Sequence, residues 1–233
     1  SSIVYFRFGL FSLAIWFVLE NNKRLKVTFF KFLLLTFLIA LSYGYLQFFI
    51  KDIGINVTIY NTRLALPFTD NAILGQYLSR LFPLLIAFFI FVNNYSFKNY
   101  FIIFIIFTLT DVLIYLSGER TALGLIFLSS ILILMLVSKL KYFRVISILF
   151  SILFIFLISF YFPAVKERNI DYTLKQIGIT GESSNLNIFS PDHEKIIITS
   201  FNMFIKNPYF GVGVNNFRNQ CNYKKYRIDD NSC

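Results

Sequence analysis

Residues 100–116 (YFIIFIIFTLTDVLIYL) and 122–137 (ALGLIFLSSILILMLV) are two apolar runs separated by Ser117-Gly118-Glu119-Arg120-Thr121. Each run is about 16 or 17 residues long, and a helix of that length rises roughly 25 Å, close to the hydrocarbon thickness of a bilayer. Two such runs joined by a tight polar turn predict a helical hairpin in lipid. Working outward, four more runs qualify, at about 3–19, 27–50, 74–93 and 144–163, making about six spans. The expectation is an all-α fold, a polytopic transmembrane helical bundle over residues 1–163. The first run has the look of a secretory leader, but Arg7 interrupts it, no small-residue cleavage site follows and five further spans argue for a retained helix.

Composition points the same way. Of 233 residues 57% are hydrophobic and 15% charged, with a mean hydropathy of +0.66. Soluble domains carry about a quarter charged residues, so a soluble enzyme is excluded, and a disordered chain would lack this apolar content. Two cysteines rule out a disulfide-rich scaffold. The net charge of +10 would suggest nucleic acid in a soluble protein. In a membrane protein it sets topology and meets anionic lipid or substrate instead, and no nucleic-acid partner is expected. The chain opens on Ser1-Ser2 and stops at Cys233 in mid-loop, so it reads as a piece of a longer protein.

Basic residues in the short loops orient the spans. Lys23, Arg24 and Lys26 follow the first, Lys98 the third, and Lys139, Lys141 and Arg144 the fifth. These loops alternate onto one side, the cytoplasm. The 51–73 loop, the 117–120 turn and the tail 164–233 then share the other side.

The tail is different material. It carries nine basic and seven acidic residues among Asn, Ser and Gly. Over 194–206, Ile197, Phe201 and Phe204 recur at i, i+4 and i+7 beside Ile198 and Ile205, predicting an amphipathic helix too short to span. Such a helix lies on the membrane or on the other helices. Asn207-Pro208 should stop it, and Gly211-Val212-Gly213 should turn the chain and return Arg218 toward the bundle.

The polar residues that could carry chemistry gather toward the outer face. Arg120, at the hairpin tip, offers a forked permanent cation suited to phosphate or pyrophosphate; an arginine snorkelling at a helix end is the bland alternative. Arg80 and Asp111 each fall about six residues inside the outer edge, roughly 9 Å deep. A mutual ion pair is the economical expectation, more a device orienting two helices than a catalytic acid. Asp70 or Asn71 could cap the third span. Arg63 faces either substrate or solvent. His193 titrates near neutrality and is a proton-transfer candidate, although an isolated loop histidine is ordinarily just solvated. Cys221 and Cys233 could pair or stay apart. One His and two distant Cys cannot build a metal site. Phosphate-loop and nucleophile-elbow motifs are missing, so no cofactor is expected.

Three segments, taken in order, resemble one family. Residues 63–78 (RLALPFTDNAILGQYL) are similar to an outer loop leading into a span. Residues 117–125 (SGERTALGL) resemble a Ser-Arg helical hairpin, and 207–218 (NPYFGVGVNNFR) the Asn-Pro, Gly-x-Gly and Phe segment of a large periplasmic loop. The family is the O-antigen ligases and O-antigen polymerases, bacterial envelope glycosyltransferases, and the resemblance covers most of residues 63–218.

The resemblance implies a multi-pass protein of the bacterial inner membrane with 164–233 as a periplasmic loop, and more spans than are present here. It implies transfer of a glycan from an undecaprenyl-pyrophosphate carrier to an acceptor, lipid A core for a ligase or a growing glycan for a polymerase, without metal or nucleotide. Arginines would hold the pyrophosphate and a loop histidine would act as base. Arg120 matches the hairpin arginine. The second arginine, expected before the amphipathic helix, is replaced by His193 and Lys195. The family's histidine falls beyond Cys233, so His193 is not that residue, and this stretch alone should be inactive. The site so assembled takes Arg120, His193 and Arg218 as catalytic, with Arg63, Arg80, Arg120, Lys195 and Arg218 binding the glycan-pyrophosphate. A flippase-like transporter would instead need cations lining a cavity across the membrane. A non-enzymatic membrane subunit would need only helix packing.

Overall fold

The computed structural model describes residues 3–50, 64–66, 73–92, 96–171, 174, 191–209, 211–213 and 216–227. Every element among them is helical: α1 (Ile3–Asn21), α2 (Lys23–Phe49), α3 (Leu74–Val92), α4 (Phe97–Ser117), α5 (Arg120–Leu136), a 3-10 turn (Ser138–Leu140), α6 (Lys141–Tyr161), α7 (Pro163–Lys166) running into a π-helical turn (Glu167–Asp171), α8 (Pro191–Lys206) and α9 (Phe217–Gln220).

Local signals set the ends. Asn22 alone separates α1 from α2, its side chain accepting the Leu25 N–H at 3.1 Å, so Lys23, Arg24 and Lys26 lie in the first turn of α2 rather than in a loop. Ser96 caps α4 by accepting from the Asn99 N–H. At its far end α4 stops on Gly118, which takes the left-handed φ of 65° that a Cβ would resist.

Four helical stretches among the described residues are long and apolar enough to cross a membrane: Lys23–Phe49, Leu74–Val92, Phe97–Ser117 and Ser138–Tyr161. Helix α5 is apolar but shorter, at 17 residues. The chain divides into two compact units, Leu19–Asn169 and a second made of Ser1–Val18 with Ile170–Cys233.

Within the larger unit α4 is the central helix. Its residues Val112, Leu113, Ile114 and Leu116 are buried, against Phe37 and Leu41 of α2, Leu78 and Phe82 of α3, and Ala122 and Ile126 of α5. Helix α6 is inverted relative to a soluble protein's: Leu149, Phe156 and Phe160 face outward while Ser147 and Ser151 are buried. That is the arrangement a helix takes when lipid is the solvent and polar side chains must find partners inside.

Candidate functional site

The hairpin tip is built around Glu119. It occupies the N-cap position of α5 without capping that helix. Its carboxylate reaches instead to the start of α3, accepting the Gly75 N–H on Oε1 at 2.8 Å and the Gln76 N–H on Oε2 at 3.1 Å. The Leu74 N–H goes to the Leu64 carbonyl at 3.3 Å. The first donors of α3 are thereby satisfied, two of them by a carboxylate placed where the helix dipole favours negative charge. Expected caps Asp70 and Asn71 lie outside the described residues. Close approach requires glycine at 75, because a Cβ there would collide with Ser117 Oγ and come within 3.2 Å of both Ala122 Cβ and Glu119 Oε1. Gln76 adds a bond to Thr121, Nε2 to Oγ1 at 3.4 Å.

This clamp fixes the backbone on which Arg120 begins α5, exposed at the rim. Arg80, also exposed, stands one turn beyond Gln76 on the same stripe of α3. Nearby, Gln47 Oε1 accepts the Ala65 N–H at 2.9 Å, tying residues 64–66 to the end of α2. Glu119 is buried, and losing it strands two backbone donors. Glu119→Ala should destabilise the bundle by about 2–3 kcal/mol and Glu119→Gln by about 1 kcal/mol. Hydrogen exchange checks this directly: the amides of residues 75 and 76 should lose protection in the alanine variant.

Beneath the tip, Asp111 is not paired with Arg80. Its partner is Arg144, a correction to the expected pair and to the placing of Arg144 in a cytoplasmic loop. The guanidinium is bidentate, Nη1 to Oδ2 at 2.8 Å and Nη2 to Oδ1 at 2.9 Å. Ser130 Oγ accepts from Nη2, Ser147 Oγ from Nη1 at 3.4 Å, and the Ser151 hydroxyl donates to Asp111 Oδ2 at 3.2 Å. The Phe82 and Phe107 rings cover the cation with centroids at 5.5 and 4.9 Å. Arg144 is 1% exposed.

Arg144 lies in the first turn of α6, where Phe143 stacks on Tyr100 near the start of α4 at 4.6 Å, and its long side chain reaches along the α4–α6 seam to Asp111. A readable signal existed: Arg144, Ser147 and Ser151 follow i, i+3, i+7 spacing, a polar stripe in an apolar helix.

In the smaller unit, Met203, Cys221 and Tyr226 form a compact core with Val212 and Phe217 packed on it. Helix α8 ends at Lys206, where Asn207-Pro208 was expected to stop it, and Gly211 and Gly213 take positive φ of 61° and 92°. The Asn207 amide donates to Tyr226 Oη at 3.0 Å and to the Met203 carbonyl at 3.2 Å. Cys221 is disulfide-bonded; the chain's other cysteine, Cys233, lies outside the described residues. Asn207's hydrogen bond holds the Tyr226 phenol below its ordinary value, helped by Lys225 and Lys206. Ultraviolet titration should then show a phenolate step below the usual tyrosine value near 10, removed in Tyr226→Phe. A lowered folded-state pKa adds stability only as pH rises through it, so acid and neutral stability should not change through this group.

The expected site residues are thus distributed as follows. Arg80 and Arg120 belong to the larger unit, at the rim around the Glu119 clamp. Lys195, half-buried on α8, and Arg218, exposed on α9, belong to the smaller unit. His193 lies in the first turn of α8, with its side chain outside the described residues, and Arg63 lies outside them altogether. The residues missed were Glu119 and Arg144, because each acts on a helix distant in sequence.

The fold and these polar clusters define a class, a multi-span α-helical membrane protein. Comparison with family models, curated proteins and solved structures finds no match.

Proposed function

We propose that the chain belongs to a membrane glycosyltransferase that moves a glycan from an undecaprenyl-pyrophosphate carrier to an acceptor sugar, in ligation to lipid A core or in polymerisation of a surface polysaccharide. The observation that carries the reading is the clamped hairpin tip. Glu119 pins the start of α5 against α3, so that Arg120 stands on a rigid base at the rim with Arg80 on the adjoining helix. Departure of a polyprenyl pyrophosphate builds negative charge, and preorganised cations at a water-poor surface stabilise it. In this reading α1 and α5 also cross, making six spans, and 164–233 lies in the periplasm of a bacterial inner-membrane protein. Lys195 and Arg218 are proposed as further cations for the carrier and His193 as a proton-transfer group, and Arg63 leads into α3. A transporter is less well supported, because the charge of Arg144 is committed to Asp111.

The test is transfer of a carrier-linked glycan to acceptor by the natural full-length protein in vesicles, wild type against Arg120→Ala. Turnover that depends on Arg120 supports the reading. No turnover with either acceptor class sinks it, and turnover indifferent to Arg120 removes the hairpin tip from the site.

A further inference from the structure

Helix α8 has two faces that point apart. Met203 is buried in the small core of its own unit, Thr199 one turn before it is buried too, and Asn202 donates from Nδ2 to the Tyr226 carbonyl at 3.2 Å. At 100° per residue, Phe204, Ile197, Phe201, Ile205 and Ile198 fall within an arc of about 120° on the other side, with exposed Glu194 on the same arc in the first turn. All five are exposed, Phe201 and Phe204 by 58% and 59%. The apolar face is therefore not the one that holds the unit together. A solvated patch of this size on a polar segment marks an interaction surface.

Charge identifies the partner. Lys206 closes the helix and donates from Nζ to the Lys225 carbonyl. The ammonium groups of Lys206 and Lys225 lie 5.6 and 5.2 Å from the Tyr226 ring centroid, and Lys224 is exposed beside them. Tyr209 and Tyr223, 92% and 58% exposed, add two amphipathic rings. An apolar helical face, a lysine group at its end and exposed tyrosines are together the composition of a helix lying in the plane of an anionic bilayer. The same chain carries four stretches able to cross that bilayer, so the lipid surface is present at high effective concentration.

We propose that α8 docks its unit onto the membrane by immersing the face carrying Phe201 and Ile205 in the acyl boundary, with Lys206 and Lys225, on the polar side, drawing it there through the anionic surface potential. Docking does not depend on the chemistry proposed above.

Spin labels at Phe201→Cys and Ile205→Cys, in the full chain reconstituted into phosphatidylcholine nanodiscs with and without phosphatidylglycerol, test this; disulfide-bonded Cys221 takes no label. Both labels should collide with dissolved oxygen several-fold more than with a water-soluble nickel chelate. Lys206→Gln with Lys225→Gln should lower that preference in anionic discs, by about fivefold in docked population per lysine, and leave zwitterionic discs unchanged. Labels reached by neither reagent would mean that the face packs on protein, the bundle or a second copy. Labels reached by the chelate would mean that it stays in water. Either result overturns the proposal, and immersion indifferent to phosphatidylglycerol overturns its anionic part.

Discussion

Asp111→Ala and Arg144→Ala are each expected to destabilise the bundle by about 3–5 kcal/mol, because each leaves one buried charge without its partner. The pair joins α4 to α6 directly and draws in α5 through Ser130. Removing Asp111 strands a guanidinium that is 1% exposed under two aromatic rings, and those rings contribute only about 1–2 kcal/mol. Removing Arg144 strands a carboxylate that, among the described residues, keeps only the Ser151 hydroxyl to solvate it. The double replacement Asp111→Leu with Arg144→Met should recover most of the loss, since two apolar groups of similar volume carry no desolvation penalty. Equilibrium unfolding of the chain in mixed detergent micelles reads all three variants. Single-variant losses below about 1 kcal/mol would place the pair among the weak polar contacts common between membrane helices, and the account of how α5 and α6 are held would fail.

Arg120→Ala, in the natural full-length protein, should reduce glycan transfer by about a hundred- to a thousandfold, the scale of losing one preorganised donor to a developing anion. Its side chain is exposed, so unfolding stability should change little, which separates this variant from Glu119→Ala. Arg120→Lys should regain only part of the rate, since an ammonium supplies the charge without the bidentate fork. Arg80→Ala should act mainly on the apparent affinity for the carrier, because the residue stands a turn away from the clamp. An unchanged rate with Arg120→Ala would remove the hairpin tip from the chemistry, and absence of transfer by the wild type would leave a non-enzymatic membrane subunit as the better description.

Legibility followed the range of the physics. The hairpin over 100–137 was readable because length, apolarity and Gly118 act within a few residues of one another. The apolar stripe of α8 and its stop at Asn207-Pro208 were readable for the same reason. Spacing shows that Asp111 needs a countercharge but does not show which one. Depth measured along each helix made Arg80 look suitable, but Arg80 is exposed on α3, whereas the α4–α6 seam brings the stripe of Arg144, Ser147 and Ser151 to the carboxylate. Arg144 reads as a loop cation in the sequence because basic residues at span ends ordinarily serve topology.

The amino-acid sequence by itself therefore determined the all-helical membrane class, the hairpin with its polar tip and the two-sided helix of the tail. Each rests on periodicity and turn chemistry, which act locally. Tertiary structure alone decided that Glu119 caps α3 rather than its own helix, that Asp111 pairs with Arg144, and that Gly75 must have no side chain. Those outcomes depend on which groups lie within about 3 Å across a helix interface, and neither spacing nor composition specifies that distance.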